Sequence, residues 1–360
     1  MKKILKNEVI IHSQHICDNI NKIKSYIGDT EIIAVIKGDG YGHGLLESAK
    51  ACRKANVTTF ALGDIKEANL LRKNGFDQNL LLLFPPNIDN IDDISNLNLI
   101  PTVYKIEHLK LISRTNKDIK FDLEINTGIG RSGCDISNVE IIMQYIKDNS
   151  LNIRYAYTHL YDNADYISSV KQLEQFKEAM RNYPDVLLHI GGSYAFCHGK
   201  EFFLDGLRVG LGLYGLIDMF LLEDELKLAM EFNTFFEDII YLKKGQHLGY
   251  SSGFIAKRDS KIGLLNLGYA YGYPKTSKGF VKFDEEFCPI VGGVNMTSFC
   301  VDVTDVNEKY IKDYNKYSVN IFSINTADKN AIMSLANLNG IIPNLYVCGI
   351  NKHYIDFKYI

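Results

Sequence analysis

Lys37 closes an apolar, β-rich run, Ile32–Ile36, and three glycines at alternate positions follow it, Gly38, Gly40 and Gly42, around Asp39 and Tyr41. A lysine at the carboxyl end of a buried strand can simply be reaching for water, since lysine is seldom buried without a task. It can also be an amine that forms a Schiff base with a carbonyl. That chemistry needs it to shed its proton near neutral pH, which burial beside cationic groups favours. What else the chain brings to the same place decides between the two.

The elements that would position such a lysine are short β-rich runs separated by helix-like segments. The runs are 32–36, 58–62, 79–84, 98–103, 119–125, 153–160, 185–190 and 206–211. Segments such as 64–76, 137–149 and 170–183, and the stretch carrying Leu45, Leu46, Ala49 and Cys52, place apolar residues at helical spacing. Eight strands with intervening helices predict a (β/α)8 TIM-type barrel; an open doubly wound sheet seldom needs eight such units. Pro101 inside the fourth run weakens that one strand, because proline cannot donate to a ladder.

Working residues of such barrels sit at the carboxyl ends of the strands. The first run delivers Lys37 and Tyr41, and the fifth Glu124 and, past a turn, Arg131. The sixth delivers His159 and the seventh Gly191-Gly192-Ser193, while the eighth holds Arg208 and leads to Gly210 and Leu211. The last two loops are where barrels commonly bind phosphate through free backbone N–H groups. Each residue alone has a bland reading, a half-buried histidine or a barrel-end ion pair. Their joint placement points to a phosphorylated cofactor held through an amine.

After about Tyr214 the texture changes to alternating apolar and polar residues with Gly-containing turns, which predicts a mainly β second domain. The expected division is 1–224 for the barrel and 225–360 for the β domain. At 360 residues, two domains are the prior. A net charge of −3 gives no reason to expect nucleic acid or an anionic membrane as partner, so a small molecule is the expected ligand. The seven scattered cysteines, never spaced CxxC, argue against a zinc site or disulfide framework. With no apolar run of signal-peptide or membrane-spanning length, the expected compartment is the cytoplasm.

The stretch AVIKGDGYGHG resembles the pyridoxal-phosphate lysine motif of the alanine racemases, and later motifs follow in the family's order. They are INTGIGRSG (125–133), YTHL (157–160), GGS (191–193), LRVGLGLYG (207–215), GYSSGF (249–254), LNLGYAYGY (265–273) and VGGVNM (291–296). The resemblance implies a pyridoxal 5′-phosphate barrel with a β domain behind it, a homodimer in which the partner's second domain completes each site. It also implies roles. Lys37 would hold the cofactor and act as one of two bases, with Tyr250 of the second subunit on the opposite face. A tyrosine ordinarily ionises near pH 10, so His159 and Arg208 would have to ease its deprotonation. Arg208 would face the pyridine nitrogen, making the ring a weaker electron sink than one paired with a carboxylate. Tyr41, Ser193, Gly210 and Leu211 would hold the phosphate. Arg131 and Met296 would orient the substrate carboxylate, and Tyr269 would stand near the entrance.

Four positions depart from the family pattern. Glu124 stands where many members carry a carbamylated lysine, and a carboxylate there is expected to pair with Arg131. Thr297 and Tyr271 replace acidic residues. Lys352 aligns with the family's C-terminal phosphate tyrosine and would serve as a point charge, unless a short gap reassigns that place to Tyr354. These changes touch substrate identity more than reaction type, so alanine is the expected substrate and serine the alternative. A barrel-type amino-acid decarboxylase and a cofactor-holding relative without turnover are the other readings. Tyr250 and a complete second domain speak against the last.

Overall fold

The eight runs form eight parallel strands, for the reason that made them legible: strands covered on both faces read as continuous apolar runs. A computed structural model describes residues 7–162, 165–192, 194–217, 226–250, 253–275 and 278–360. After β1 (Glu8–Ile11), the strands are β2 (Glu31–Val35), β3 (Thr59–Leu62), β4 (Asn79–Leu82), β5 (Leu99–Val103), β6 (Lys120–Asn126), β7 (Asn152–His159), β8 (Leu187–Gly191) and β9 (Gly206–Val209). Strands β2 to β9 pair in chain order, and β9 returns to β2, so the barrel closes. Helices cover the outside, among them Leu45–Lys54, Ile65–Lys73, Val139–Asp148 and Tyr166–Met180. Asp64 and Asp165 cap two of them, accepting N–H bonds from Lys66 and Ile167 at 2.5 and 3.0 Å.

Pro101 does not interrupt β5. It lies opposite Leu82 in the ladder, and the Leu82 carbonyl accepts from the Thr102 hydroxyl at 2.8 Å. A side chain supplies the hydrogen bond that the proline nitrogen cannot.

The barrel interior is divided. Ile33, Val35, Ala61, Leu81 and Ile100 make a small apolar cluster on one side. On the other side Asp122, Arg154, His189 and Arg208 are hydrogen-bonded to one another in a chain.

The second unit is a nine-stranded, mainly antiparallel sheet, and β1 belongs to it. Residues Glu8–Ile11 pair antiparallel with Met230–Thr234 and parallel with Asp356–Tyr359. A division at 224/225 assigns those residues to the barrel, whereas their hydrogen bonds are to the other sheet. Their neighbours lie more than 200 residues away along the chain, beyond the reach of local pattern. Among the described residues, no helix is long and apolar enough to cross a membrane, and no group of acidic, histidine and cysteine side chains is arranged to hold a metal.

Candidate active site

The turn that carries Lys37 winds the wrong way for L-amino acids. Gly38, Asp39 and Gly40 have φ of 64°, 54° and 63°, and Tyr41 follows at 52°, a single left-handed helical turn. Left-handed helical backbone costs about 1–2 kcal/mol per L-residue, which is why glycines share the turn. Asp39 is held by its contacts: its N–H donates to Glu67 Oε1 at 3.0 Å, and its Oδ1 accepts from the Leu45 N–H at 2.7 Å. Lys352, from the far end of the chain, binds its other carboxylate oxygen.

That turn sets Lys37 and Tyr41 in the wall of one cavity of about 310 Å³ at the carboxyl end of the barrel. Glu124, Arg131, His159, Arg208, Gly210 and Leu211 line it as well. Gly192 lines it too, whereas Gly191 does not, and Ser193 lies outside the described residues. Burial lowers the Lys37 pKa, and the charges of Arg131 and Arg208 lower it further. Burial pushes Tyr41 up to about 12, so its hydroxyl remains a donor. Gly210 is bare because Tyr41 needs the room: a Cβ there would sit 2.7 Å from the Tyr41 hydroxyl.

Arg208 is 4% exposed and makes no ion pair with a carboxylate among the described residues. Its Nη1 donates to His189 Nδ1 at 2.7 Å, and its Nη2 to the Thr158 carbonyl at 2.9 Å and to His159 Nδ1 at 3.2 Å. Its guanidinium carbon lies 4.1 Å from the centre of the Tyr157 ring. Guanidinium only donates, so both histidines must accept through Nδ1 and carry their proton on Nε2. Burial and the Arg208 charge push both down to about 3, and they stay neutral. His189 Nε2 then donates to Asp122 Oδ2 at 3.4 Å, and Arg154 grips Asp122 at 2.9 and 2.6 Å. The buried carboxylate therefore pairs directly with Arg154, and Arg208 faces the cavity without a directly bonded carboxylate, with Glu124 and Asp122 acting on it only through space.

Arg131 is exposed at the rim, on a loop closed by Asn126, whose side chain accepts from the N–H groups of Gly128 and Gly130 at 3.1 and 3.0 Å. The expected Glu124–Arg131 ion pair is not formed. Glu124 is 5% exposed and, among the described residues, has no hydrogen bond or ion pair. The reason is geometric: Glu124 points inward from β6, whereas Arg131 rides five residues past the strand end.

The C-terminal assignment also changes. Lys352 binds Asp39 and does not line the cavity, and Tyr354 is exposed against the Tyr271 ring, 5.2 Å between centroids. Asn344 lines the cavity instead. Sequence reasoning passed over it, as it did Gln172. The buried Gln172 amide donates to Thr127 and the His159 carbonyl at 3.0 and 3.2 Å and accepts from the Tyr161 N–H at 3.1 Å, tying two rim loops together. Neither residue belongs to a recurring motif, so only its three-dimensional neighbours reveal it.

Tyr250, Tyr269 and Met296 do not line the Lys37 cavity of their own chain. They are 81%, 40% and 58% exposed on the second unit. Tyr269 and Met296 are held side by side by N–H bonds from Tyr269 to the Asn295 carbonyl at 3.1 Å and from Ala270 to the Met296 carbonyl at 2.8 Å.

A closed barrel with an activated amine at one strand end, cations around it and a β unit behind it is the build of an enzyme acting on small charged molecules. Residues 11–218 match the alanine racemase N-terminal domain and residues 229–357 the alanine racemase C-terminal domain. The chain belongs to the alanine racemase family. It is 31% identical over 322 residues to an alanine racemase of Clostridium kluyveri, covering 84% of this chain and 82% of that one. It is 28% identical to an alanine racemase of Aquifex aeolicus, covering 95% and 96%. Its fold matches the crystal structure of alanine racemase from E. faecalis with a TM-score of 0.89 at 22% identity over all of both chains. It also matches that from Bartonella henselae, described with covalently bound pyridoxal phosphate, with a TM-score of 0.89 at 24% identity over 99% of both.

Proposed function

We propose that this protein is a pyridoxal 5′-phosphate-dependent racemase that interconverts L- and D-alanine. The observation that carries the reading is Lys37: an amine whose pKa is lowered by burial, Arg131 and Arg208, sharing one cavity with Tyr41, Gly210 and Leu211. The residues fit the cofactor. Lys37 would take its aldehyde carbon, Tyr41 and the loop at Gly210 and Leu211 its phosphate, and Arg208 and His159 its ring. Ser193 would add a hydroxyl to the phosphate end. When bound, the cofactor withdraws electrons and so acidifies the substrate's α-proton.

Lys37 then moves a proton at the α-carbon from one face, and Tyr250 of the partner subunit from the other. Arg131 and the partner subunit's Met296 hold the substrate carboxylate, and the partner subunit's Tyr269 stands at the entrance. The exposure of Tyr250, Tyr269 and Met296 on the second unit supports a homodimer with shared sites. The reading takes the barrel to end at 224 and the protein to work in the cytoplasm.

The purified protein is expected to absorb near the visible–ultraviolet edge and to lose that band on borohydride reduction, with the label on Lys37. A racemisation assay over the common L-amino acids then names the substrate. Retention of the band in Lys37→Ala, or turnover of no amino acid, overturns the proposal. One observation favours a second substrate. The unpaired Glu124 carboxylate inside the cavity is an acceptor for a substrate hydroxyl, which supports serine.

A further inference from the structure

The side chain of Gln172 continues a ladder that the backbone leaves open. Strand β6 last pairs with β7 at Glu124 and Tyr157. Its next partner is its own returning chain, Ile125 and Asn126 against Cys134 and Asp135, and the loop between them carries Arg131. Past Tyr157, β7 keeps its other neighbour: the Leu160 N–H donates to the Gly191 carbonyl of β8 at 3.4 Å. Backbone groups alternate sides along a strand, so the His159 carbonyl and the Tyr161 N–H face the side that β6 has left. Gln172 fills that side. Its amide donates to the His159 carbonyl at 3.2 Å and accepts from the Tyr161 N–H at 3.1 Å, the pair of bonds a parallel strand would offer.

The amide also grips the loop. Gln172 Nε2 donates to Thr127 Oγ1 at 3.0 Å, and the Thr127 and Thr158 hydroxyls share a 2.7 Å bond. Both donors and the acceptor of the amide are thus in use, and the residue is 2% exposed. The loop passes so close that a Cβ at Gly128 would lie 3.2 Å from Gln172 Nε2. Helix Tyr166–Met180 holds the amide in place from outside the barrel, and Ser169 on the same buried face donates to the Asp162 carbonyl at 3.2 Å.

The consequence reaches the cavity. Thr127 is the root of the loop that presents Arg131, and among the described residues Arg131 itself has no hydrogen-bond partner. On the other side of the amide stand His159 and the Thr158 carbonyl, which accepts from Arg208 at 2.9 Å. We propose that Gln172 is a positioning residue for the substrate-carboxylate end of this site, fixing the loop of Arg131 against the strand end of His159. The inference rests on the role given to Arg131 in the reading above and extends it to a residue outside the cavity.

The test uses the full-length, cofactor-loaded protein as wild type, Gln172→Met, Thr127→Val, Arg131→Ala and the Gln172→Met/Arg131→Ala pair. Thermal midpoint, cofactor affinity, KM and kcat for the amino acid it racemises, and affinity for acetate as a bare carboxylate are measured for each. Gln172→Met and Thr127→Val should raise KM and weaken acetate about 10-fold with kcat and cofactor affinity kept within about threefold, and in the Arg131→Ala background Gln172→Met should add little. Thr127→Val reads the loop tie by itself if Gln172→Met does not fold. A residue that only stabilises the barrel would lower the thermal midpoint and leave KM and acetate binding unchanged, and that result overturns the proposal. So does a Gln172→Met effect that multiplies fully with that of Arg131→Ala, or an Arg131→Ala KM equal to wild type. A wild type that holds cofactor but turns over no amino acid overturns the racemase reading, and acetate then decides for Gln172. Weaker acetate binding in both variants upholds its role; equal or undetectable binding in all overturns it.

Discussion

Arg208 Nη1 donates to His189 Nδ1 across 2.7 Å in the closed interior of the barrel, and that bond decides where two charges go. His189 is neutral and stands between Arg208 and Asp122, so the Asp122 charge is spent on Arg154. Arg208 is left as a cation beside the cavity without a hydrogen-bonded carboxylate among the described residues, offset only at longer range by Glu124 and Asp122. His189→Phe removes the acceptor while filling the space, and a hydrogen bond to a charged group contributes about 1.5–3 kcal/mol. The cofactor dissociation constant is expected to rise roughly tenfold or more, with a shifted absorption maximum. His189→Asn, which keeps an acceptor, should recover part of the loss. Asp122→Asn acts differently, because it leaves Arg154 buried without its partner. It should lose about 3–5 kcal/mol of stability in urea unfolding.

Two buried histidines, His43 and His189, and the half-buried His159 give the fold an acid limit. His43 is pushed down to about 4, and His159 and His189 to about 3, in each case chiefly by burial. Below the ordinary value of 6.5 the unfolded chain takes up protons that the folded chain refuses, so stability falls as pH drops from 6.5 toward 4. Each histidine contributes up to about 1.4 kcal/mol per pH unit in that window. Asp122, whose pKa is lowered, adds a further loss below 3.8. Urea midpoints at pH 7.5, 6 and 5 should decline with increasing slope. A flat profile across that range would contradict the assigned protonation states.

Much of this arrangement was legible in the chain, and the limit is physical. Parallel barrel strands are covered on both sides, so their runs read out without interruption, and a barrel gathers its strand ends on one rim. That is why Lys37, His159 and Arg208 could be placed together from order alone. Pro101 misled in a small way, because its compensation comes from Thr102 next door. The left-handed turn at Gly38–Tyr41, the crossing of β1 to the second sheet, and Gln172 and Asn344 all depend on neighbours tens to hundreds of residues away. The glycines of the turn carry a local signal for positive φ, but no local period or propensity encodes the contacts that hold it or the other three. The unpaired state of Glu124 was hidden for the same reason.

Lys37 carries a linkage of its own. Its folded pKa lies below the ordinary 10.5, so the folded state binds fewer protons than the unfolded one, and stability rises with pH toward 10.5. In the cofactor-free protein, Lys37→Met removes a buried group that resists charging. It should therefore be more stable than wild type at pH 7, with the difference shrinking as pH rises toward 10. The same variant should have no racemase activity. Parallel urea titrations at pH 7 and 9.5 measure the first, and an amino-acid racemisation assay the second.

The left-handed turn is sensitive at Gly40. Its φ of 63° disfavours any side chain, and a Cβ would also run into Ser48 Oγ. Gly40→Ala should cost about 1–2 kcal/mol for backbone conformation, and more for the clash. Adding Ser48→Ala should return the part of the clash due to Oγ, leaving the tighter-than-usual contacts to Ser48 Cβ at 3.1 Å and the Tyr214 hydroxyl at 3.3 Å and the backbone term, which a double-mutant cycle in urea separates. If Ser48→Ala restores nothing, the close approach of the turn to the helix Leu45–Lys54 is wrong.

Glu124 offers the sharpest reading of substrate choice. A buried, unpaired carboxylate in a cavity otherwise lined by Lys37, Arg131 and Arg208 partly cancels the field that attracts a substrate carboxylate, and it presents an acceptor to whatever side chain the substrate carries. Glu124→Gln removes the charge and keeps the shape. If the carboxylate serves a hydroxyl, kcat/KM for serine should fall by about 10–100-fold while that for alanine changes little, because losing a hydrogen bond to a charged group is worth about 1.5–3 kcal/mol. If it serves only to balance the cations, both substrates should respond together, mainly through KM. Equal responses in kcat/KM would remove Glu124 from substrate selection and leave alanine as the substrate this cavity fits.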